Sequence, residues 1–191
     1  MGVIAATNDF WVFGYGSLMW NPGFEYLDSQ PATLKNFIRS FCLYSHFYRG
    51  TPDCPGLVLG LNPSKGNECR GIAFKIAPEN ITRVTAYLNE RELCGYAYKP
   101  VYLDLALDCS QEITAYTFIA DQNHPLYAGD LPKEKAADLI MAAAGRTGLN
   151  RDYLINTVRD LEAKGYHDES MHALLKLIEY RTGLLDAGGG I

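Results

Sequence analysis

Short apolar runs that stop at turn-forming residues dominate the first two thirds of the chain. The run Phe10–Phe13 combines aromatic and β-branched side chains and ends at Gly14, which predicts a buried strand. Further runs of strand character occupy 37–44, 57–61, 71–76, 101–107 and 113–119. The turn-forming residues at 62–66 are predicted to separate the strands at 57–61 and 71–76. The last two runs flank a polar break and can pair as a hairpin.

Apolar residues recur at helical spacing in the remaining segments. Pro78 suits a first helical turn, and the apolar repeat that follows continues to about Arg91. Helices are also predicted from about Asp130 to Gly145, from a cap at Asn150 to Gly165, and from a cap at Asp168 to Gly183. Strands come first and helices follow, without a βαβ alternation. The pattern therefore predicts an α+β domain with a mixed or antiparallel sheet that can close on itself.

Length and charge narrow the class of protein. A chain of 191 residues suits one domain, which we expect over 1–185, followed by a flexible tail at 186–191. The net charge of -5, without a Lys/Arg cluster, argues against a nucleic-acid partner. No apolar stretch reaches the roughly 18 residues of a membrane span, so no membrane partner is expected. Since the N-terminus lacks a basic region before an apolar core, we expect a cytoplasmic protein.

The cysteines and histidines do not follow a ligand pattern. The chain has five cysteines, an odd number, without a CxxC pair, and its 4 histidines lack metal-ligand spacing. We therefore expect neither a disulfide framework nor a metal site.

The segment FGYGSL at 13–18, in which two glycines flank Tyr15, stands at the end of the first predicted strand. Glycines on both sides of Tyr15 allow a sharp turn, and amide groups in such a turn can form a concave anion site. A plain turn between strand and loop is the alternative. A dinucleotide fingerprint fails because Met19 stands where its third glycine belongs. A nucleophile elbow fails because the second glycine that should follow Ser17 is missing.

Charged residues in other segments are candidates for chemistry. Glu92 lies near the C-terminus of the helix that starts at Pro78, where the helix dipole and a dry environment would raise the pKa of a carboxyl group. Such a group suits a general base, although a solvated helix end is the alternative. Arg39, in a strand-like run, and Arg49, in a loop, could each bind a substrate carboxylate. Ordinary surface charge is the alternative for both.

Three segments together resemble the gamma-glutamylcyclotransferase superfamily, specifically its glutathione-specific, ChaC-like branch. They are FGYGSLMW at 13–20, YRGTPDCPG at 48–56 and YLNERELCGY at 87–96. A weaker likeness continues through NHPLY at 123–127 and AAAG at 142–145, so that the resemblance covers nearly the whole chain in the right order. It implies a small mixed β-barrel flanked by helices. It also implies cleavage of a small molecule, glutathione, to 5-oxoproline and cysteinylglycine, without a metal or other cofactor.

The resemblance also implies site residues. The family's loop, which binds the gamma-glutamyl group through its backbone, matches Tyr15, Gly16, Ser17 and Leu18. The acidic residue of the family's Tyr-Leu-x-x-Arg-Glu motif, its acid/base, matches Glu92, and two basic positions of the branch match Arg39 and Arg49.

One position departs from the branch. The branch often carries a tyrosine late in the last barrel strand, before an Ile-Gly pair, whereas this chain has Phe118-Ile119-Ala120 there. Tyr116, two residues earlier on the same strand face, is the candidate replacement.

Alternatives remain open at this point. The enzyme could act on other gamma-glutamyl amino acids or on gamma-glutamylamines. It could be a hydrolase that uses Ser17, or a cysteine, with a histidine. It could also be a binding module that keeps the barrel without catalysis.

Overall fold

A closed, mixed five-stranded barrel forms the centre of the computed structural model, which describes residues 9–93 and 97–183. The strands are β1 (Phe10–Gly14), β2 (Asp28–Ser45), β3 (Gly56–Ile76), β4 (Tyr98–Leu107) and β5 (Glu112–Ala120). They follow the spatial order β1-β3-β2-β4-β5, and a parallel pairing of β1 with β5 closes the barrel, while its other pairs are antiparallel. The predicted α+β barrel flanked by helices and the predicted β4–β5 hairpin are confirmed.

Four helices accompany the barrel in the described residues: α1 (Ile81–Leu93), α2 (Lys133–Ala142), α3 (Asn150–Ala163) and α4 (Glu169–Arg181). Two-residue strands β6 (Ala144–Gly145) and β7 (Gly148–Leu149) pair between α2 and α3. Single 3-10 turns cover Ser17–Met19 and Pro78–Asn80. No described helix is long and apolar enough to cross a membrane. The predicted tail at 186–191 lies outside the described residues.

Alternating side chains of the strands and one face of each helix fill a common apolar core. Phe13, Leu34, Leu43 and Leu61 are among the largest side chains that are fully enclosed in the barrel. The helices bury apolar residues that recur at helical spacing, including Ile140 of α2. In α3 and α4 the buried positions are Tyr153, Leu154, Val158, Leu161, Met171, Leu174 and Ile178. The hydrophobic spacing therefore identified the packed face of each of these helices correctly.

The turn predicted at 62–66 is wrong, because β3 continues through it as one strand. Phe37 of β2 pairs with Pro63 and Lys35 pairs with Glu68, so the intervening residues of β3 bulge opposite Asn36. Asn36 has a left-handed backbone, with φ of 63°, and its side-chain oxygen accepts a hydrogen bond from the Gly66 amide at 3.0 Å. This side-chain contact lets the two long strands resume their pairing beyond the bulge.

Two helix boundaries also differ from the prediction. Helix α2 ends at Ala142, not at Gly145, because Gly145 pairs with Gly148 in the short β6–β7 ladder. Asn150 does not cap α3, since the N-cap position is Leu149 and no side chain caps it. By contrast, Asp168 caps α4 as predicted, accepting a hydrogen bond from the amide of Met171 at 3.3 Å.

The Asn150 side chain instead joins α3 to the barrel. Its Oδ1 accepts from the Leu57 amide at 2.6 Å and its Nδ2 donates to the Leu57 carbonyl at 2.7 Å, and the side chain is fully buried. Strand β1 pairs with β3 only from Ile72 to Ile76, so Leu57 lies on a stretch of β3 that β1 does not reach. One amide side chain thus satisfies both backbone groups of an otherwise open strand edge.

We predict that Asn150→Ala lowers the free energy of unfolding by about 2–4 kcal/mol, since it leaves a buried donor and a buried acceptor of Leu57 without their partners. Urea denaturation measures the change. Asn156→Ala is the matched control, because Asn156 is exposed on the same helix and its loss should change stability by less than about 0.5 kcal/mol. Equal effects of the two substitutions would contradict this role of Asn150.

Candidate active site

A cavity of about 380 Å³ opens between the loop after β1, the end of α1, the loop after β2 and the start of α3. Its volume lies in the range of roughly 300–1,000 Å³ that is usual for small-molecule sites. The lining mixes aromatic rings, two arginines and one carboxylate. The residues are Ser17, Trp20, Asn21, Tyr48, Arg49, Val58, Tyr87, Arg91, Glu92, Tyr98, Thr147 and Tyr153.

A smaller recess of about 20 Å³ adjoins this cavity, which is room for about one water-sized group. The predicted loop residues Tyr15, Gly16, Ser17 and Leu18 all line it, together with Phe13, Leu59, Glu92, Tyr98, Phe118 and Tyr153. Four side chains line both spaces: Ser17, Glu92, Tyr98 and Tyr153. The structure therefore brings the predicted loop and the predicted acid/base residue to one junction.

The glycines of the loop are required by close packing. A Cβ atom on Gly14 would lie 2.9 Å from the Cβ of Leu18, and one on Gly16 would lie 3.3 Å from the Tyr153 hydroxyl. The Met19 amide donates to the Gly16 carbonyl at 2.9 Å and closes the turn. A side chain at Gly14 would therefore force the turn to shift, whereas one at Gly16 would need the Tyr153 hydroxyl to move by a few tenths of an ångström.

Glu92 lies in the last described turn of α1, with only 16% of its side chain exposed. Burial raises the pKa of its carboxyl group above the usual range, and the neighbouring Arg91 guanidinium, with Nε 3.3 Å from Oε1 of Glu92, partly offsets that rise. A carboxyl group whose pKa is raised can accept a proton and return it later.

Arg91, which the sequence reasoning did not select as a site residue, anchors the site. Its guanidinium donates to the Ser17 hydroxyl at 3.0 Å, to the Asn21 carbonyl at 2.8 Å and to the Tyr87 hydroxyl at 3.0 Å. These contacts join α1 to the loop after β1 and so fix Glu92 relative to the recess. The signal for Arg91 was its place in the Tyr-Leu-x-x-Arg-Glu motif.

Arg49 lines the larger cavity, as a carboxylate-binding role requires. Its Nη1 donates to the Thr147 carbonyl at 2.9 Å and to the Leu149 carbonyl at 3.3 Å. Its guanidinium also lies 5.2 Å from the ring centre of Tyr153, within cation–π range. These contacts hold the positive charge at the cavity wall.

Arg39 lies elsewhere: it is 4% exposed and lines neither the 380 Å³ cavity nor the recess. Its guanidinium donates to the Tyr15 carbonyl at 2.6 Å and to the Arg70 carbonyl, and its Nε lies 2.9 Å from Oδ2 of Asp168. The sequence predicts a contact with substrate, whereas the observed contacts join the loop, β3 and the cap of α4. Arg39 is placed to support the loop from behind.

Tyr116 is also placed away from both described cavities. It is 5% exposed, and its hydroxyl donates to the Asn89 side chain at 2.6 Å. The phenols that reach the junction are Tyr98, at the start of β4, and Tyr153, on α3. Sequence reasoning missed both, because only the closed barrel and the docked α3 bring them beside Glu92.

The described residues contain no group of three or more His, Cys, Asp or Glu side chains that could hold a metal ion. None of the histidines, all of which are described, lines the 380 Å³ cavity or the recess beside it. The Ser17 hydroxyl accepts its hydrogen bond from Arg91, so its observed partner is a cation instead of a histidine base.

We predict that Asp168→Asn lowers the free energy of unfolding by about 2–4 kcal/mol, because it breaks a largely buried ion pair with Arg39. The expected loss is smaller than for a fully buried pair, since the Asp168 side chain is 21% exposed. Asparagine caps helices as well as aspartate, so the substitution isolates the charge that faces Arg39. Asp152→Asn is the control, since its contact with Arg151 is exposed and should contribute less than about 1 kcal/mol. Urea denaturation would contradict the bridge if both variants matched the unmodified protein.

Comparisons with known proteins agree with this geometry. The ChaC-like protein family model matches residues 10–181. The glutathione-specific gamma-glutamylcyclotransferase of Escherichia coli (strain K12) is 37% identical over 165 residues, covering 86% of this chain and 71% of that protein. The mouse (Mus musculus) glutathione-specific gamma-glutamylcyclotransferase 1 is 33% identical, covering 88% of this chain and 77% of that protein.

A solved structure supports the fold. The crystal structure of a yeast gamma-glutamyl cyclotransferase specific to glutathione superposes with a TM-score of 0.84 at 22% identity, covering 90% of this chain and 96% of that one. The barrel, the loop after β1, the buried glutamate and the family model all agree, and the chain belongs to the ChaC-like family.

Proposed function

We propose that this protein is a gamma-glutamylcyclotransferase that cleaves glutathione to 5-oxoproline and cysteinylglycine. The proposal rests on one observation: Glu92 lines both the cavity and the recess, its carboxyl group is nearly buried, and burial raises the pKa of that group. Relatives with this activity in their names match most of the chain, which supports the choice of glutathione over other gamma-glutamyl compounds.

The substrate supplies its own nucleophile in this reaction. Glu92 takes a proton from the α-ammonium group, and the freed amine attacks the γ-carbonyl carbon to close a five-membered lactam. The C–N bond to cysteine then breaks as Glu92 returns that proton to the leaving nitrogen. The second proton, which the attacking nitrogen sheds as it becomes the lactam N–H, also passes to the released α-amino group, which leaves as an ammonium. Reactant and products balance without water, a metal ion or a redox partner.

Burial of Glu92 suits both halves of this proton transfer. A carboxyl group with a raised pKa holds an accepted proton better than an ordinary glutamate does. Below that pKa the group is protonated and cannot act as a base, so activity requires a pH above it. Arg91 limits the rise, because its charge favours the ionised form.

Orientation supplies the rest of the catalysis. The amine and the γ-carbonyl belong to one flexible chain, and holding them together can lower the barrier by up to roughly 7–11 kcal/mol in the best intramolecular cases. In this proposal the loop at Tyr15–Leu18, which lines the recess, holds the gamma-glutamyl end through its backbone. Arg49, which lines the 380 Å³ cavity, binds the glycine carboxylate.

We also propose that the enzyme works in the cytoplasm. The cysteines in the described ranges, Cys42, Cys54, Cys69 and Cys109, are all free thiols. Free thiols are typical of a reducing compartment.

The proposal predicts the products of glutathione in water enriched in ¹⁸O. The protein should release unlabelled 5-oxoproline and cysteinylglycine, because the amine, not water, attacks the carbonyl. Mass spectrometry reads both products, and gamma-glutamyl-alanine run in parallel tests the choice of substrate. Labelled glutamate would instead identify a hydrolase, and turnover of gamma-glutamyl-alanine alone would contradict glutathione as substrate.

A further inference from the structure

We propose that Tyr116 is a positioning residue for the reaction, which holds the last described turn of α1 through a hydrogen bond to Asn89 and so keeps Glu92 directed at the recess. The inference rests on the proposed function, because it concerns how the carboxyl group that transfers the proton is kept in place. Tyr116 acts through Asn89 and α1, without touching the substrate. The reaction steps above use neither of the two residues.

A hydrogen bond joins β5 to α1 three residues before Glu92. The Tyr116 hydroxyl donates to Oδ1 of Asn89 at 2.6 Å. Asn89 is half-buried and lies almost one helical turn before Glu92 on α1. A rotation of α1 about its axis that displaced Glu92 would therefore also stretch this hydrogen bond.

Tyr116 gives that hydrogen bond a fixed origin in the barrel. It lies within β5, opposite Val12 of β1 on one side and opposite Tyr102 of β4 on the other. Its ring packs against the rings of Phe10 and Phe118, at 6.1 Å and 5.3 Å between centres, and the residue is 5% exposed. Because close-packed rings on paired strands move little, the hydroxyl is a rigid partner for α1.

Asn89 and Arg91 flank Glu92 on the surface of α1. Successive residues of an α-helix are about 100° apart around its axis, so Arg91 lies about 100° to one side of Glu92 and Asn89 about 60° to the other. Arg91 contacts the Ser17 hydroxyl in the loop after β1, whereas Asn89 contacts β5. The two contacts therefore hold the helix on both sides of the Glu92 carboxyl group.

The apolar face of α1 restrains this rotation only weakly. Its buried residues, Val84 and Leu88, make aliphatic contacts, which have no preferred direction. A general base, by contrast, must lie within hydrogen-bond reach of the proton that it takes, about 2.6–3.2 Å between heavy atoms. Loss of the hydrogen bond between Tyr116 and Asn89 should therefore slow the chemical step more than it weakens substrate binding.

Both residues of the pair stand apart from the site that binds the substrate. Neither Tyr116 nor Asn89 lines the 380 Å³ cavity or the recess. Each can therefore be substituted without removing a substrate contact, and a fall in kcat then reports on the position of Glu92.

Tyr116→Phe tests the role, because it removes the hydroxyl and keeps the packed ring. We expect kcat for glutathione to fall about tenfold and KM to stay within about twofold, since a small displacement of the base slows the transfer without removing a substrate contact. Tyr127→Phe is the matched control: its phenol also donates to an asparagine side chain, Asn62 at 3.2 Å, and it lines neither the cavity nor the recess. Its kcat should stay within about twofold of the unmodified value.

The pH dependence of kcat/KM distinguishes displacement of Glu92 from a general loss of stability. Burial raises the pKa of Glu92, and its ionised form is the base, so activity falls as the pH drops through that pKa. Because Glu92 is only 16% exposed, a displacement exposes it further and lowers this pKa. The acid limb of the profile should therefore move to lower pH in Tyr116→Phe, whereas a loss of stability alone leaves the limb in place.

The substitution changes none of the other charged or titratable groups that face Glu92. They are the neighbouring guanidinium on α1 and the phenols that line the recess from the loop after β1, from β4 and from α3: Arg91, Tyr15, Tyr98 and Tyr153. A shift of the acid limb therefore reports a change in the surroundings of Glu92 itself.

A double-mutant cycle tests whether the two residues act through one hydrogen bond. Asn89→Ala removes the acceptor and should lower kcat by about the same factor as Tyr116→Phe. The double variant should lose no more than either single variant, as expected for two partners of one interaction. Losses in kcat that multiply in the double variant, or an acid limb that stays at the unmodified pH in both single variants, would overturn the role of the pair.

The outcomes also separate this inference from the proposed function. If the unmodified protein makes 5-oxoproline and Tyr116→Phe keeps its full kcat, the inference alone is wrong. If the unmodified protein makes no 5-oxoproline from glutathione, the proposed function fails and the inference fails with it.

Discussion

The geometry of the site depends on the contacts that the buried guanidinium of Arg39 makes. This group sits among the Tyr15 carbonyl, the Arg70 carbonyl of β3 and the carboxylate of Asp168, and it is almost fully enclosed. A charge removed from water in this way is tolerated only when fixed partners surround it. Because one of those partners is the backbone of the loop after β1, the requirement to satisfy the charge also fixes the loop. The cap of α4 is thereby joined to the same point.

The site combines this fixed loop with a carboxyl group that burial has made less acidic. Arg91 connects the two parts, since the same guanidinium contacts Ser17 in the loop and Glu92 on α1. Burial and the Arg91 charge act on the pKa of Glu92 in opposite directions, with burial the larger effect. The reaction proposed here needs little more than this, because the substrate brings its own nucleophile and the protein chiefly orients it.

Local patterns in the sequence predicted the parts of the fold that local physics determines. Hydrophobic spacing found part of each barrel strand and the packed helix faces, although it missed residues 28–36 of β2 and divided β3 in two. Asp168 was recognised as a cap because capping involves neighbours in the chain. The bulge at Asn36 and the role of Asn150 escaped prediction, since their partners, Gly66 and Leu57, are distant in sequence. The candidate site divides in the same way. The motif around Glu92 and the Tyr15–Leu18 loop was visible, whereas the burial of Arg39 and the arrival of Tyr98 from β4 follow from barrel closure.

The central claim is that Glu92 is the group that moves the proton, and Glu92→Gln tests it most directly. The matched control is Glu90→Gln, because Glu90 is exposed two residues earlier on the same helix. Release of 5-oxoproline from glutathione should fall at least about 100-fold for Glu92→Gln, the scale of general acid–base catalysis, and stay near the unmodified rate for Glu90→Gln. A folded Glu92→Gln variant that still releases 5-oxoproline at the unmodified rate would contradict the account.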